Sequence, residues 1–225
     1  MPTREAVILA SRDLSIVPQL HARMADVDVA GFHADLPVLA EGLQYWCFVD
    51  WLLPDISGIE MCRRLRETKA TRYAHITMIL EEDDSETKRR ALRSGADDYL
   101  IGPADAERLA ARLHQYRRAH DPAPTAARLR SGDLQVDVAA VLARYKDQRV
   151  SLAPNEFKLL AHFLENPDRV FSRCSLIGIL GKDDSSIDER TVDVWIGRLR
   201  RALKTQGVPD RLRTVRAMGY VFDNM

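Results

Sequence analysis

The chain has 225 residues, 46% of them hydrophobic, and its 33 basic and 33 acidic side chains cancel to a formal net charge of zero. That is enough apolar material for one or two cores, and ordinary domain sizes favour two domains. No apolar run approaches the roughly 20 residues that cross a bilayer, and Met1-Pro2-Thr3-Arg4-Glu5 lacks a hydrophobic signal region, so the expectation is a cytoplasmic protein without membrane contact.

Taken in chain order, the first half alternates short apolar runs with amphipathic stretches. Ala6–Ala10, Val27–Gly31, Tyr45–Asp50, Ile76–Leu80 and Tyr99–Ile101 read as strands. Helices are expected near Leu14–Met24, Leu36–Glu41, Gly58–Glu67, Ser85–Ser94 and Asp105–Arg118. Short strands separated by helices argue for a parallel sheet covered on both faces. From Ala119 to Ala126 the periodicity is lost, and Pro122 and Pro124 stiffen a linker.

Beyond the linker the pattern changes. Leu134–Asp137, Ala140–Ala143 and Val150–Leu152 read as short antiparallel strands, and Asn155–Glu165 as an amphipathic helix. A second helix holds Leu176–Leu180, and a third runs over Asp188–Lys204 with Val192, Ile196, Leu199 and Leu203 as its packing side. Leu212–Val215 and Tyr220–Phe222 make a terminal hairpin. Cys47, Cys62 and Cys174 are odd in number and lack metal-ligand spacing, so they are expected to be reduced thiols.

Zero net charge hides an asymmetry. Residues 1–126 hold 16 Lys+Arg against 20 Asp+Glu, a balance of −4, and residues 127–225 hold 17 against 13, a balance of +4. Arg190–Arg216 alone carries eight basic and two acidic residues. An acidic module joined to a basic one points to an anionic partner for the second, and a helix with an arginine-bearing hairpin is suited to the two grooves of a duplex.

Three blocks sharpen this. Leu152-Ala153-Pro154-Asn155-Glu156-Phe157-Lys158-Leu159-Leu160, Glu189-Arg190-Thr191-Val192-Asp193-Val194-Trp195-Ile196-Gly197-Arg198-Leu199-Arg200-Arg201 and Thr214-Val215-Arg216-Ala217-Met218-Gly219-Tyr220 resemble the first helix, recognition helix and wing of OmpR/PhoB-type winged-helix regulators. The resemblance implies double-stranded DNA as partner. It places Arg198 at base edges with Thr191, Val194 and Trp195 alongside, Trp195 being open between packing in the core and lying against a thymine methyl or sugar edge; Arg173, Arg190, Arg200 and Arg201 fall on phosphates, and Thr214 and Arg216 on the wing, Arg216 in the minor groove. Where the family often has a Trp-Gly pair, the chain has Leu180-Gly181-Lys182, and Lys182 is expected to take over that phosphate contact.

Asp50 ends an apolar strand and is followed by a turn holding Pro54 and Gly58, then a helix, which is where open α/β sheets place their chemistry. With Gly95-Ala96-Asp97-Asp98-Tyr99-Leu100, this segment resembles the phospho-acceptor site of response-regulator receiver domains, with Tyr99 as the switch-type aromatic. The family's chemistry needs two acidic residues after the first strand to hold Mg²⁺, a hydroxyl ending the fourth strand and a lysine after the fifth. The corresponding positions here are Ser11 and Arg12, Leu80 and Gly102. Phosphorylation of Asp50 is therefore not expected; Arg12 is expected to form a salt bridge with Asp50 instead. Receivers of this family dimerise through the fourth helix, fifth strand and fifth helix, where Lys88, Asp97, Asp98, Arg108, Arg112 and Arg118 stand.

The expected architecture is an α/β receiver over residues 1–119, with a doubly wound, five-stranded parallel sheet of flavodoxin-like order, a linker over 120–127, and an α+β winged helix-turn-helix domain over 128–225. The expected function is a phosphorylation-independent transcription regulator, homodimeric through its receiver, with no catalytic residues, metal or cofactor. RNA polymerase is the further partner the resemblance brings, and a cognate histidine kinase is not expected. The alternatives are a conventional regulator of a two-component system phosphorylated on Asp50, and a receiver that docks a partner or ligand.

Overall fold

β1 (Glu5–Ala10), β2 (Asp28–Phe32), β3 (Gln44–Asp50), β4 (His75–Leu80) and β5 (Asp98–Ile101) pair in parallel, in the order β2-β1-β3-β4-β5. They belong to the first of two compact units, residues 1–119 and 120–225, in a computed structural model that describes residues 4–119, 128–181 and 188–224. The expected linker and Lys182 lie outside the described residues.

The sheet is apolar on both faces because its strands are buried on both. Ala6, Ile8 and Ala10 of β1 and Tyr45, Cys47 and Val49 of β3 join one core, with Met61, Cys62 and Leu65 of α2 (Gly58–Glu67) and Ala91 of α3 (Ser85–Ser94). The alternate residues Val7, Leu9, Trp46 and Phe48 join the other, with Leu20 of α1 (Val17–Arg23), Met24 at its end, and Leu109 and Leu113 of α4 (Ala106–Ala119). Period-two alternation thus divides each strand between two helical layers.

The helix expected at Leu36–Glu41 does not form. The segment from His33 to Leu43 is irregular, with Gly42 at φ +84°. A six-residue segment closes only about two hydrogen bonds of its own, too few to hold a helix by themselves. Leu36, Leu39 and Leu43 still cover the core, while Val38 is fully exposed.

Sheet order 2-1-3-4-5 has its switch point between β1 and β3, so the strand ends carrying Ser11 and Asp50 lie side by side. Gly58 tightens the same corner. Its N–H donates to the Trp51 carbonyl at 2.9 Å, and a side chain there would overlap the Asp50 carbonyl. Only glycine lets the first turn of α2 pack directly onto the end of β3.

The second unit opens with an antiparallel sheet of β6 (Arg128–Ser131), β7 (Leu134–Asp137), β8 (Leu142–Tyr145) and β9 (Gln148–Val150). β6 was not expected, and β8 starts two residues later than expected. Asp137 accepts from the Ala140 N–H at 2.9 Å and Val141 stands at φ 47°, so the beginning of the expected strand is a turn. Three helices follow, α5 (Pro154–Glu165), α6 (Arg173–Ile179) and α7 (Arg190–Thr205), then the hairpin β10 (Leu212–Val215) and β11 (Gly219–Phe222). Phe163, Val192, Trp195, Ile196, Leu199 and Phe222 close their shared core, each at most 1% exposed.

Among the described residues no helix is long and apolar enough to cross a membrane. The three thiols are free, and burial pushes that of Cys47 up.

Candidate functional site

At the strand ends of the first unit, Asp50 is held as a hydrogen-bond acceptor. The Ser11 hydroxyl donates to Asp50 Oδ2 at 2.6 Å, and the backbone N–H of Arg12 donates to the same oxygen at 3.2 Å. The expected salt bridge between Arg12 and Asp50 is not formed. The Arg12 guanidinium instead reaches Glu81 Oε1 at 2.8 Å, and it is the Arg12 backbone that serves Asp50. Asp13, which lines the same cleft, accepts hydrogen bonds from the Ser15 side chain and from the Ser15 N–H at 2.8 Å, and these hold its carboxyl below the usual range.

These groups border a cleft of about 410 Å³ with Leu80, Gly102 and Pro103. Leu80 is fully buried, so the end of β4 offers an apolar wall in place of a hydroxyl. Gly102 stands at φ +89°, where the Arg108 guanidinium hydrogen-bonds the flanking carbonyls of Ile101 and Pro103 at 2.5 and 3.0 Å. A lysine placed at Gly102 would be strained in its backbone as well as crowded by Arg108.

The donor set does not fit a divalent cation. Mg²⁺ takes carboxylates and waters in near-ideal octahedral geometry. Here a hydroxyl occupies one ligand position and is already committed to Asp50, while an arginine occupies the other. With Arg12 offset by Glu81, Asp50 and Asp13 leave the cleft about two negative charges in excess, and an incoming phosphoryl dianion meets repulsion with nothing in the cleft to neutralise it.

The charges expected to form a dimer face are largely engaged inside the subunit. Asp97 is fully buried beneath Arg66 at 2.6 Å, and this corrects its placement on an exposed face. Lys88 is only 9% exposed, pairs with Asp83 and lies 5.3 Å from the centroid of the Tyr99 ring, a second correction. Arg108 is turned onto carbonyls, and Arg112 donates to the Tyr99 carbonyl at 3.1 Å beside Asp98 at 4.0 Å. The side chain of Arg118 lies outside the described residues.

In the second unit α7 presents one face to the core and one to solvent. Arg198, expected at base edges, belongs to the core side: it is 9% exposed and its Nε lies 3.4 Å from Glu156 Oε1. Thr191 is fully buried and is corrected likewise from contact residue to packing, and of the two readings open for Trp195 its full burial favours packing. Their positions share the helical stripe of Val192, Ile196 and Leu199, so reaching DNA would require turning the hydrophobic face outward. The solvent face carries Arg190, Asp193, Val194, Gly197, Arg201 and Lys204.

A polar network joins α6, α7 and the hairpin. Tyr220 donates to Asp193 Oδ1 at 2.5 Å, Arg173 donates to the same oxygen at 2.7 Å, and the Arg173 and Arg200 guanidinium groups lie 5.1 and 5.5 Å from the Tyr220 ring. Arg200 also donates to the Leu212 carbonyl and to Thr214 Oγ1. Burial and Asp193 both push the Tyr220 phenol up, and Asp193 raises Arg173. Gly219, at φ +141°, seats the wing: Tyr220 and Phe171 exchange N–H to carbonyl bonds at 3.0 and 2.9 Å. Arg216 and Met218 remain exposed at the tip.

Sequence reasoning missed Glu156, Asp193 and Tyr220. Glu156 had one local signal, its place three residues after Ala153, whose N–H it accepts at 2.9 Å as in a capping box.

The comparisons with known proteins agree with these two units. Residues 34–114 match the family described as "Response regulator receiver domain", and residues 147–222 match "Transcriptional regulatory protein, C terminal". The chain is 39% identical over 186 residues to the phosphate regulon transcriptional regulatory protein PhoB of Rhizobium meliloti (strain 1021), covering 83% of this chain and 82% of that one. PhoB of Escherichia coli (strain K12) is 33% identical over 174 residues, 77% and 76% of the two chains. A solved structure of a RitR mutant shares the fold with a TM-score of 0.55 at 20% identity, covering 98% of this chain and all of that one. The first matched family begins at residue 34, after the Ser11 and Arg12 positions.

Proposed function

The chain belongs to the OmpR/PhoB-type response regulators, a receiver domain joined to a winged-helix DNA-binding domain, and we propose that its DNA binding is independent of phosphorylation at Asp50. The observation that carries this reading is the closed hydrogen bonding at the acceptor. Ser11 and the Arg12 backbone both donate to Asp50 Oδ2, where a receiver that works by phosphoryl transfer needs acidic metal ligands. Removing the metal ligands, hydroxyl and lysine together takes away every group that offsets the developing phosphoryl charge.

Treated with acetyl phosphate and Mg²⁺, the full chain is expected to gain no phosphoryl mass and to keep its sedimentation coefficient. A stable mass gain mapped to Asp50 together with a larger species would return it to the conventional switch. Self-association through α3, β5 and α4 is part of the proposal, and the exposed Glu107 is the charge on this face it would rely on, since Lys88, Asp97, Asp98 and Arg112 all have partners within the subunit.

On the DNA side, Val194 and Gly197 occupy the middle of the solvent stripe of α7, with Arg190, Arg201 and Lys204 toward its ends and Arg216 on the wing. We assign base contacts to the middle of the stripe and phosphate contacts to the arginines. Arg201 is exposed and has no side-chain partner among the described residues, so its charge is available to the duplex. Arg201→Ala is expected to weaken all duplexes alike and to lower the slope of log affinity against log salt by about 1. Titrations at several salt concentrations check this, and a loss confined to one base position would contradict the assignment.

A further inference from the structure

Gly197 is the eighth of the sixteen residues of α7, in the middle of its solvent stripe. Glycine is the poorest helix former after proline, because it gives up the most backbone freedom on folding. Nothing within the protein asks for it here. A Cβ built at Gly197 meets no heavy atom within 4 Å, whereas at Gly58 or Gly219 it would overlap a carbonyl of the chain. Nor is Gly197 among the glycines with positive φ.

Its surroundings on the helix are specific. Val194 lies one turn before it and Arg201 one turn after, with Arg190 a further turn back. The neighbours that could overhang the gap are drawn elsewhere, Arg198 inward to Glu156 and Arg200 sideways to Leu212 and Thr214. The centre of the face is therefore bare backbone between an apolar and a cationic side chain. A helix with its side chains is about 10–12 Å across and the major groove about 12 Å wide, so the fit leaves little slack. A missing side chain at the centre lets the helix seat deeper.

We propose that Gly197 is a specificity-determining residue of the DNA interface: its bare Cα admits the edge of a base pair to the helix backbone, and Val194 beside it suits the 5-methyl group of thymine. The inference rests on the DNA-binding reading above. Any side chain at this position pushes the base pair away, so the selection acts through shape as much as through hydrogen bonds.

The test uses the full chain in a selection from a random duplex library, followed by affinity measurements on the selected site. Gly197→Ala is expected to raise the melting temperature of the DNA-binding unit by about 4 °C or more. It should nevertheless bind the selected site about tenfold more weakly, the size of one mismatched base pair, and change the preferred base at one or two adjacent positions. Gly178→Ala supplies the comparison: Gly178 is a helical glycine on α6 that is equally open, and its replacement should leave affinity and base preference alone. If Gly197→Ala keeps both, or Gly178→Ala shifts them equally, the inference is overturned while DNA binding stands. If the unsubstituted chain enriches no sequence, the DNA-binding reading fails and the inference falls with it.

Discussion

Arg66→Ala is expected to abolish the cooperative unfolding of the receiver unit or lower its midpoint by more than about 10 °C. Arg66, on α2, spends its whole guanidinium inside the unit. Nε donates to the Gly95 carbonyl at 2.8 Å, NH1 to the carbonyls of Arg72 and Ala74 at 3.0 and 2.7 Å, and NH2 to Asp97 Oδ2 at 2.6 Å. Asp97 is fully buried and also accepts from the Ile76 N–H at 2.9 Å, so it ties the start of β4 to the segment before β5. Truncating the arginine leaves a carboxylate in the interior without its cation, which typically costs about 3–5 kcal/mol out of a total stability of about 5–15. Lysine should not rescue it, because a single ammonium cannot span the acceptors that the planar fork reaches. Arg72→Ala, on an exposed side chain, is the comparison and should change stability by no more than about 0.5 kcal/mol. Calorimetry of the three variants decides the matter, and an Arg66→Ala protein melting within a degree or two of the parent would refute the buried pair.

Arg198→Ala is expected to act on folding and not on base preference. The side chains of Arg198 and Glu156 are 9% and 2% exposed, and the pair joins α7 to the start of α5. Its loss takes the Arg198 cation from the Glu156 carboxylate in the core of the DNA-binding unit, again at about 3–5 kcal/mol. Replacing both partners by apolar or neutral residues of similar volume, as in Glu156→Gln with Arg198→Met, should recover much of that loss, because neither charge is then stranded. The contrasting expectation, from reading Arg198 as a base contact, is a well-folded protein with relaxed specificity. Thermal melts and site selection on the same preparation separate the two outcomes.

The receiver sheet was legible because its strands are short continuous apolar runs, a pattern that a sheet buried on both faces imposes locally. Segment 36–41 misled because Leu36, Leu39 and Leu43 do cover the core, but from an irregular segment and not from a helix. β6 was missed because Arg128-Leu129-Arg130-Ser131 has one apolar residue, and its pairing with β7 supplies what its own sequence lacks. The replacements at Ser11, Arg12, Leu80 and Gly102 could be read directly, since each is a matter of residue type. The partner of Arg12 could not, because Asp50 ends β3 while Glu81 directly follows the neighbouring β4, and only geometry chooses between them. Arg198 shows the same limit on α7. Helical phase sets it beside the apolar stripe, and its burial depends on Glu156, a residue of another helix that no local pattern links to it.

The second unit is proposed to read DNA without waiting for Asp50. The most direct test is the affinity of the untreated full chain for its selected duplex, measured beside Asp50→Ala and beside chain exposed to acetyl phosphate with Mg²⁺. Three equal affinities are expected. Binding that appears only after phosphodonor treatment, and that Asp50→Ala abolishes, would contradict that expectation.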